Sequence, residues 1–144
     1  MINQLIGDMH RPILIHFFDN SCQFSRANMK HLVSVSNQLS GNVIAVVKGI
    51  KRIEINRLRE ETGFIILEDN SGEIFKDFNI TSTPVATVWN EEKNLVFSGN
   101  YTNGITMCGA ADIMYSNPIL ALKAQQKKSL IPYLVKAPGY ACEI

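Results

Sequence analysis

Short runs of consecutive apolar residues alternate with polar segments along the first half of the chain. The first run covers residues 13–18 directly after Pro12, and the second covers residues 43–47 and is rich in β-branched side chains. Nearly continuous apolar runs of this length are typical of parallel strands that are buried on both faces. A third run at residues 64–67 predicts another short strand or extended segment. The pattern therefore predicts a sheet with parallel core strands.

Helical spacing of apolar residues fills the intervals between these runs. Over residues 24–39 apolar side chains recur close to the period of an α-helix, and Gly41 follows as a stop signal. The charged segment 51–61 predicts an exposed amphipathic helix that ends at Gly63. Residues 73–78 predict one or two further helical turns. Strand and helix therefore alternate up to this point.

The pattern changes in the second half of the chain. Apolar runs at residues 85–89 and 95–97 flank a polar loop, which predicts a β-hairpin. A loop rich in Gly, Asn and Thr follows, and a last helix is expected over residues 110–126 with an interruption near Pro118. The hairpin adds antiparallel strands to the predicted parallel core.

This order of elements predicts an α/β fold with a mixed central sheet and helices on both faces. We expect residues 1–126 to form the domain. Residues 127–144 are expected to form an irregular C-terminal tail that packs on the same domain. A chain of 144 residues is of the size of one ordinary domain.

Charge and composition argue against several classes of function. The formal net charge is +1, with 14 basic and 13 acidic side chains, so no overall field attracts nucleic acid or an anionic membrane. The longest apolar runs are far shorter than the ~20 residues that a membrane-spanning helix needs. The first residues lack the pattern of a secretory signal peptide, which predicts a cytoplasmic location.

The three cysteines, Cys22, Cys108 and Cys142, are an odd number that permits one disulfide and one free thiol, or three free thiols. They have no neighbouring Cys or His at the close spacing that zinc ligands require, and the histidines are not spaced as a helix-borne pair. We therefore expect neither a metal nor another cofactor.

Cys22 lies where the first long predicted helix begins. A thiol at this place faces unpaired amide groups and the positive end of the helix dipole, and both favour the reactive thiolate. Ser25 lies one turn further and can donate a hydrogen bond to the sulfur, while Arg26 adds positive charge on the same side. The alternative is that Cys22 is a small buried residue without reactivity.

Two motifs resemble the active site of thioredoxin-like proteins. Residues 17–26 are similar to the strand, turn and helix of that family, in which Cys-x-x-Cys opens the helix, with Ser25 in place of the second cysteine. Thr83-Pro84 matches the family's Thr-Pro, whose proline is cis and packs beside the active-site thiol. The resemblance implies a thioredoxin-like fold in which Cys22 lies opposite Thr83-Pro84, with a lone thiol of the Cys-x-x-Ser type found in glutaredoxins.

Over nearly its whole length the chain is similar to a bacterial family of thioredoxin-like proteins of unknown function, most of them envelope proteins. That family opens its first helix with Cys-x-Cys-Ser-Arg-x-Asn, which matches Cys22, Ser25, Arg26 and Asn28, while Phe24 stands in place of the second cysteine. The resemblance implies a periplasmic or envelope location, in contrast to the cytoplasmic location that the missing signal segment predicts.

Further matches to that family lie at residues 99–104 and 107–109 and at a cysteine near the C-terminus. The family tends to end in Gly-Cys-x-Cys, whereas this chain has Gly, Tyr, Ala and Cys at residues 139–142. Because one cysteine of each family pair is missing, the resemblance implies a disulfide between Cys108 and Cys142, which would tie the tail to the domain. The alternative is that both are free thiols.

These residues predict a thiol–disulfide oxidoreductase that works through one cysteine. Cys22 would form a mixed disulfide with a protein or small-molecule thiol or disulfide, and Thr83 and Pro84 would hold the partner strand against the sulfur. Since Ser25 cannot resolve that intermediate, its release would need an external thiol or Cys108. The alternative is a non-catalytic module of thioredoxin fold that binds a peptide or protein in the groove beside Pro84.

Overall fold

The computed structural model of the chain describes residues 2–101, 113–127, 135–137 and 141–143. Helices and strands follow one another in the order α1 (Ile2–Ile6), β1 (Ile13–Asp19), α2 (Gln23–Ser34), β2 (Val43–Lys48), α3 (Arg52–Thr62), β3 (Ile65–Glu68), α4 (Glu73–Asp77), β4 (Ser82–Thr83), β5 (Val85–Trp89), β6 (Leu95–Gly99), α5 (Asn117–Gln126), β7 (Val135–Ala137) and β8 (Cys142–Glu143).

The strands form a mixed sheet with the order β3-β2-β1-β5-β6-β7, and β4 and β8 form a separate two-stranded sheet. β1, β2 and β3 run parallel to one another, whereas β5 is antiparallel to both β1 and β6. β7 runs parallel to β6 at the far edge. The predicted parallel core, the hairpin and the α/β fold class are confirmed.

Side chains of the central strand β1 divide the core into two layers because successive residues of a strand face opposite sides of the sheet. Leu14 belongs to a buried cluster with Leu32 of α2 and Leu122 of α5. Ile15 belongs to a second cluster, with Phe75 of α4, on the other face. The sheet is therefore covered by helices on both faces, and its first strand leads directly into α2.

α2 ends earlier than the sequence predicts, at Ser34 rather than at residue 39. Beyond it the chain forms two short 3₁₀ turns, at Ser36–Gln38 and Ser40–Asn42. The hydroxyl of Ser34 donates to the carbonyl of His31 at 2.6 Å, and that of Ser36 donates to the carbonyl of Val33 at 2.8 Å. Serine hydroxyls that bond to nearby carbonyls compete with the helical ladder, which accounts for the early end.

The two later helices differ from each other in how well the sequence predicts them. α3 ends at Gly63, as predicted, in the left-handed conformation (φ 70°), and the amide of Gly63 donates to the carbonyl of Arg59. α5 begins only at Asn117, with Pro118 in its first turn. Proline is favoured there because its missing N–H would have no helical partner. Before it, Ile113 is helical and residues 114–116 form a turn, so the interruption lies just before Pro118, as predicted; residues 110–112 of the predicted helix lie outside the described residues.

The tail contains two strands that the sequence did not predict. β7 has three residues and β8 has two, which is too short for a period of apolar side chains to be recognised. The short helix α1 was not predicted either. Most of the expected loop at residues 99–109 lies outside the described residues. Within the part of the chain that is described, no helix is long and apolar enough to cross a membrane.

Candidate functional site

Cys22 occupies the junction between β1 and α2. Its backbone is extended (φ −96°, ψ 123°), as is typical of a residue that precedes a helix, and its carbonyl accepts the first helical hydrogen bond, from the amide of Arg26 at 3.0 Å. The side chain of Cys22 makes no capping hydrogen bond. It is only 2% exposed. The sulfur is therefore held at the N-terminus of a helix of 12 residues.

Hydrogen bonds within the turn fix the position of Cys22. The carboxylate of Asp19 accepts from both the amide and the hydroxyl of Ser21, at 2.9 and 2.8 Å, and the carbonyl of Asp19 accepts from the amide of Cys22 at 3.0 Å. The buried Oγ of Ser25 accepts from the amide of Asp19 at 3.2 Å. Ser25 thus braces the turn, and between these described residues no bond from its hydroxyl to the sulfur is seen.

Arg26 also contacts the turn rather than the sulfur. Its guanidinium donates to the carbonyl of Asn20 at 2.5 Å, and its side chain is exposed. Arg26 lines one end of a groove of about 540 Å³ between α2 and α3, to which Cys22 does not contribute. The positive charge therefore lies at the edge of the site.

Thr83 and Pro84 lie beside Cys22, as the sequence predicts. The peptide bond between them is cis. The Sγ of Cys22 lies 3.4 Å from the carbonyl oxygen of Thr83. The carbonyl of Pro84 accepts from the side-chain amide of Asn100 at 3.1 Å, which anchors this segment to the end of β6. The Oγ1 of Thr83 is buried and has no hydrogen-bond partner among the residues that the structure describes.

A disulfide joins Cys22 to Cys142, 120 residues further along the chain. The sulfurs are 2.12 Å apart and the Cα atoms 5.8 Å apart. β8 pairs antiparallel with β4, so that Cys142 lies opposite Thr83, and Glu143 lies opposite Ser82. Because Thr83 contacts Cys22, this pairing brings the two cysteines together.

Two predictions about the cysteines are wrong in this structure. Cys142 does not pair with Cys108, because its sulfur is bonded to Cys22; Cys108 itself lies outside the described residues. Cys22 is not a lone thiol, because the tail supplies a second cysteine to the site. The sequence contained one signal for this partner, a third cysteine in a chain whose Cys-x-x-Ser motif lacks the second thiol.

Besides Thr83, the buried side chains of His16 and Asn28 also lack some of their hydrogen-bond partners within the described part of the chain. The Nδ1 of His16 and the hydroxyl of Tyr101 lie 2.8 Å apart and share a hydrogen bond, while the Nε2 of His16 has no partner. Burial lowers the pKa of His16 from 6.5 to about 3 and raises the pKa of Tyr101 well above 10.0, so both are neutral at neutral pH. Asn28, on the buried face of α2, has no partner for either its Oδ1 or its Nδ2.

Solved structures with the same fold support this description. The chain is similar to a hypothetical protein from Sinorhizobium meliloti 1021, with 18% identity, a TM-score of 0.68, and coverage of 94% of this chain and 79% of that one. It is similar to a thioredoxin-like protein in its oxidised form, with 17% identity, a TM-score of 0.59, and coverage of 90% and 86%. It is also similar to a secreted disulfide oxidoreductase of Mycobacterium tuberculosis homologous to E. coli DsbE, with 16% identity, a TM-score of 0.57, and coverage of 79% and 84%.

At these identities the likeness establishes the fold, which is thioredoxin-like, as the resemblance in the sequence predicts. No curated protein matches the chain. A family profile matches residues 3–143, which is almost the whole chain. The chain therefore belongs to the family described as "Domain of unknown function (DUF6436)".

Proposed function

We propose that this protein is a thiol–disulfide oxidoreductase whose redox pair is Cys22 and Cys142. The observation that carries the proposal is the disulfide between these residues at the N-terminus of α2, in contact with Thr83. A purely structural disulfide has no need of a helix N-terminus, whereas a redox disulfide uses one to stabilise a thiolate.

The start of α2 is suited to hold the sulfur of Cys22 as a thiolate after reduction. The N-cap residue Cys22 makes no side-chain capping bond, and the first turn of the helix contains no acidic residue that would oppose a negative charge. Ser25 and Arg26 are positioning residues, because they hold the turn through Asp19 and Asn20 rather than touching the sulfur. The carbonyl of Thr83 is the group beside the reacting atom.

The chemistry would be a two-electron exchange between two sulfur pairs. In the oxidising direction, one thiolate of a substrate dithiol attacks the Cys22–Cys142 disulfide and forms a mixed disulfide, and the other cysteine leaves as a thiolate. The second substrate thiol then attacks the mixed bond and gives up its proton. The substrate ends as a disulfide and the protein as two thiols; reduction of a substrate disulfide is the reverse.

The substrate class would be a protein or small-molecule thiol or disulfide. The Mycobacterium tuberculosis neighbour is named a disulfide oxidoreductase, which is consistent with this class. Cys142 makes the exchange independent of an external resolving thiol, which a single-cysteine mechanism would need.

A binding module without redox activity is the second candidate, and one observation favours it. β8 already fills the edge of β4, and Cys22 is nearly inaccessible in this state. A disulfide that never opens would fix the tail in this place and leave other surfaces for a partner.

Reduction of insulin by dithiothreitol, with and without the protein, separates the two candidates. We expect the wild type to accelerate the reaction and the Cys108→Ser variant to match it. The Cys22→Ser and Cys142→Ser variants should each lose most of the acceleration, because one remaining thiol of the pair cannot complete the exchange. Insulin reduction that is no faster than with dithiothreitol alone, for wild type and variants alike, would favour the binding module.

A further inference from the structure

We infer that external thiols attack the Sγ of Cys142, so that the mixed disulfide forms on the tail and Cys22 leaves as the thiolate. This assignment rests on the proposed function and adds the order of events at the disulfide. It reverses the sequence-based expectation that Cys22 carries the mixed disulfide. Three features of the site support it: access to the two sulfurs, the group beside Cys22, and the stability of each leaving thiolate.

Access differs between the two cysteines. Cys22 is 2% exposed, because it lies between α2, Thr83 and the tail. Cys142 is partly exposed, as is Ala141 before it, and Glu143 after it is exposed. Thiol–disulfide exchange depends on which sulfur the attacking thiolate can reach. An external thiol therefore meets the sulfur of Cys142 first.

The surroundings of Cys22 also disfavour direct attack. Its Sγ lies 3.4 Å from the carbonyl oxygen of Thr83, which carries a partial negative charge. An incoming thiolate would have to displace the strand pair of β4 and β8 and approach this oxygen. Cys142 lies in β8, a strand of two residues, whose other edge pairs with no strand among the described residues.

The leaving group favours the same direction. When Cys142 is attacked, the electron pair of the broken bond goes to Cys22, at the positive end of α2. When Cys22 is attacked, the pair goes to Cys142, which belongs to a strand rather than to the first turn of a helix and is followed by the acidic Glu143. A thiol that is more acidic leaves faster, so the bond breaks more readily toward Cys22.

The balanced step is as follows. A thiolate RS⁻ bonds to the Sγ of Cys142, the bond between the two cysteines breaks, and Cys22 takes the electron pair and remains a thiolate. A second thiolate then attacks the R-bearing sulfur, forms the substrate disulfide, and releases Cys142, which takes up a proton. Cleavage also removes the covalent tie of β8, leaving its pairing with Ser82 and Thr83.

Peptide mapping tests this assignment on the unmodified protein. Oxidised protein is mixed with 2-mercaptoethanol, quenched with acid at the earliest times, and blocked with N-ethylmaleimide. Trypsin then places the three cysteines in separate peptides, residues 1–26, 94–123 and 137–144. We expect the mercaptoethanol adduct to be roughly tenfold or more enriched on 137–144, with N-ethylmaleimide on 1–26, since both access and leaving group favour it.

The outcomes separate this inference from the proposed function. An adduct that is equal or more abundant on 1–26 would overturn the inference and leave the oxidoreductase intact. A disulfide that stays closed to the thiol in the native protein would overturn both. The Cys108→Ser variant should give the same distribution, which shows that no adduct reaches the other peptides through Cys108. A Glu143→Gln variant should gain more in rate with glutathione, which carries further negative charge, than with 2-mercaptoethanol.

Discussion

Opening the Cys22–Cys142 disulfide should lower the free energy of unfolding by an amount that depends on the length of the loop that the disulfide closes. The two cysteines are 120 residues apart. In the chain-entropy model, a cross-link over a loop of this length restricts the unfolded chain by about 5 kcal/mol at 25 °C, against about 2–5 kcal/mol for most native disulfides. We expect the Cys142→Ala variant to lose most of this free energy of unfolding.

Urea denaturation followed by circular dichroism measures the effect. Wild type is compared with and without a reductant, and the three variants Cys22→Ala, Cys108→Ala and Cys142→Ala are measured under oxidising conditions. Cys22→Ala and Cys142→Ala should lose similar amounts and become insensitive to the reductant. Cys108→Ala is the matched control and should keep both the stability and the sensitivity to reductant of the wild type.

Which variants lose stability, rather than how much stability is lost, identifies the two cysteines that form the disulfide. A disulfide between Cys108 and Cys142 would close a loop of 34 residues (142 minus 108) and contribute about 4 kcal/mol in the same model, which is too similar to decide. A loss in Cys108→Ala with none in Cys22→Ala would refute the pairing described above. Equal stability of oxidised and reduced wild type would refute the entropic reasoning.

Three further predictions concern buried polar groups. The folded-state pKa of His16 is about 3 and its ordinary value is 6.5, so the unfolded chain takes up the proton at a higher pH than the folded protein does. The contribution of His16 to the free energy of unfolding is therefore complete above pH 6.5 and is lost as the pH falls toward 3. Because of this group, the free energy of unfolding from urea titrations should be about 2 kcal/mol higher at pH 7 than at pH 5. The double variant His16→Leu/Tyr101→Phe should lose that difference. The Asn28→Leu variant should unfold at the same urea concentration as the wild type or a higher one, since both polar atoms of Asn28 are buried without partners among the described residues. A clear loss of stability would mean that Asn28 has a hydrogen-bond partner in solution. Ser25→Ala should cost about 1–2 kcal/mol, because it leaves the amide of Asp19 without its acceptor; an unchanged midpoint would show that water replaces Ser25.

The fold was predictable because its signals are local. The apolar run of β1, the helical period of α2 and the glycine that ends α3 each act within a few residues, and the structure confirms all three elements. The end of α2 was missed because serine hydroxyls compete with the helical ladder, and apolar spacing does not report this competition.

The site was predictable only in part. Cys22 and Thr83-Pro84 carry motifs, and the structure brings them together. Cys142 carries no motif, because its place depends on the backbone pairing of β8 with β4, a contact between segments about 60 residues apart (142 minus 83 is 59). A strand of two residues leaves no pattern, so the second sulfur at the site could not be assigned from the sequence.

The separation of the two cysteines along the chain also has a consequence for biosynthesis. Cys22 is made 120 residues before its partner. At about 5–20 residues per second, synthesis of that interval takes about 6–24 s. During this time Cys22 is an unpaired thiol on the growing chain, and Cys108 is made before Cys142. Correct pairing therefore has to wait until Cys142 has been made, and a premature Cys22–Cys108 bond is the mispaired intermediate to look for in newly made protein.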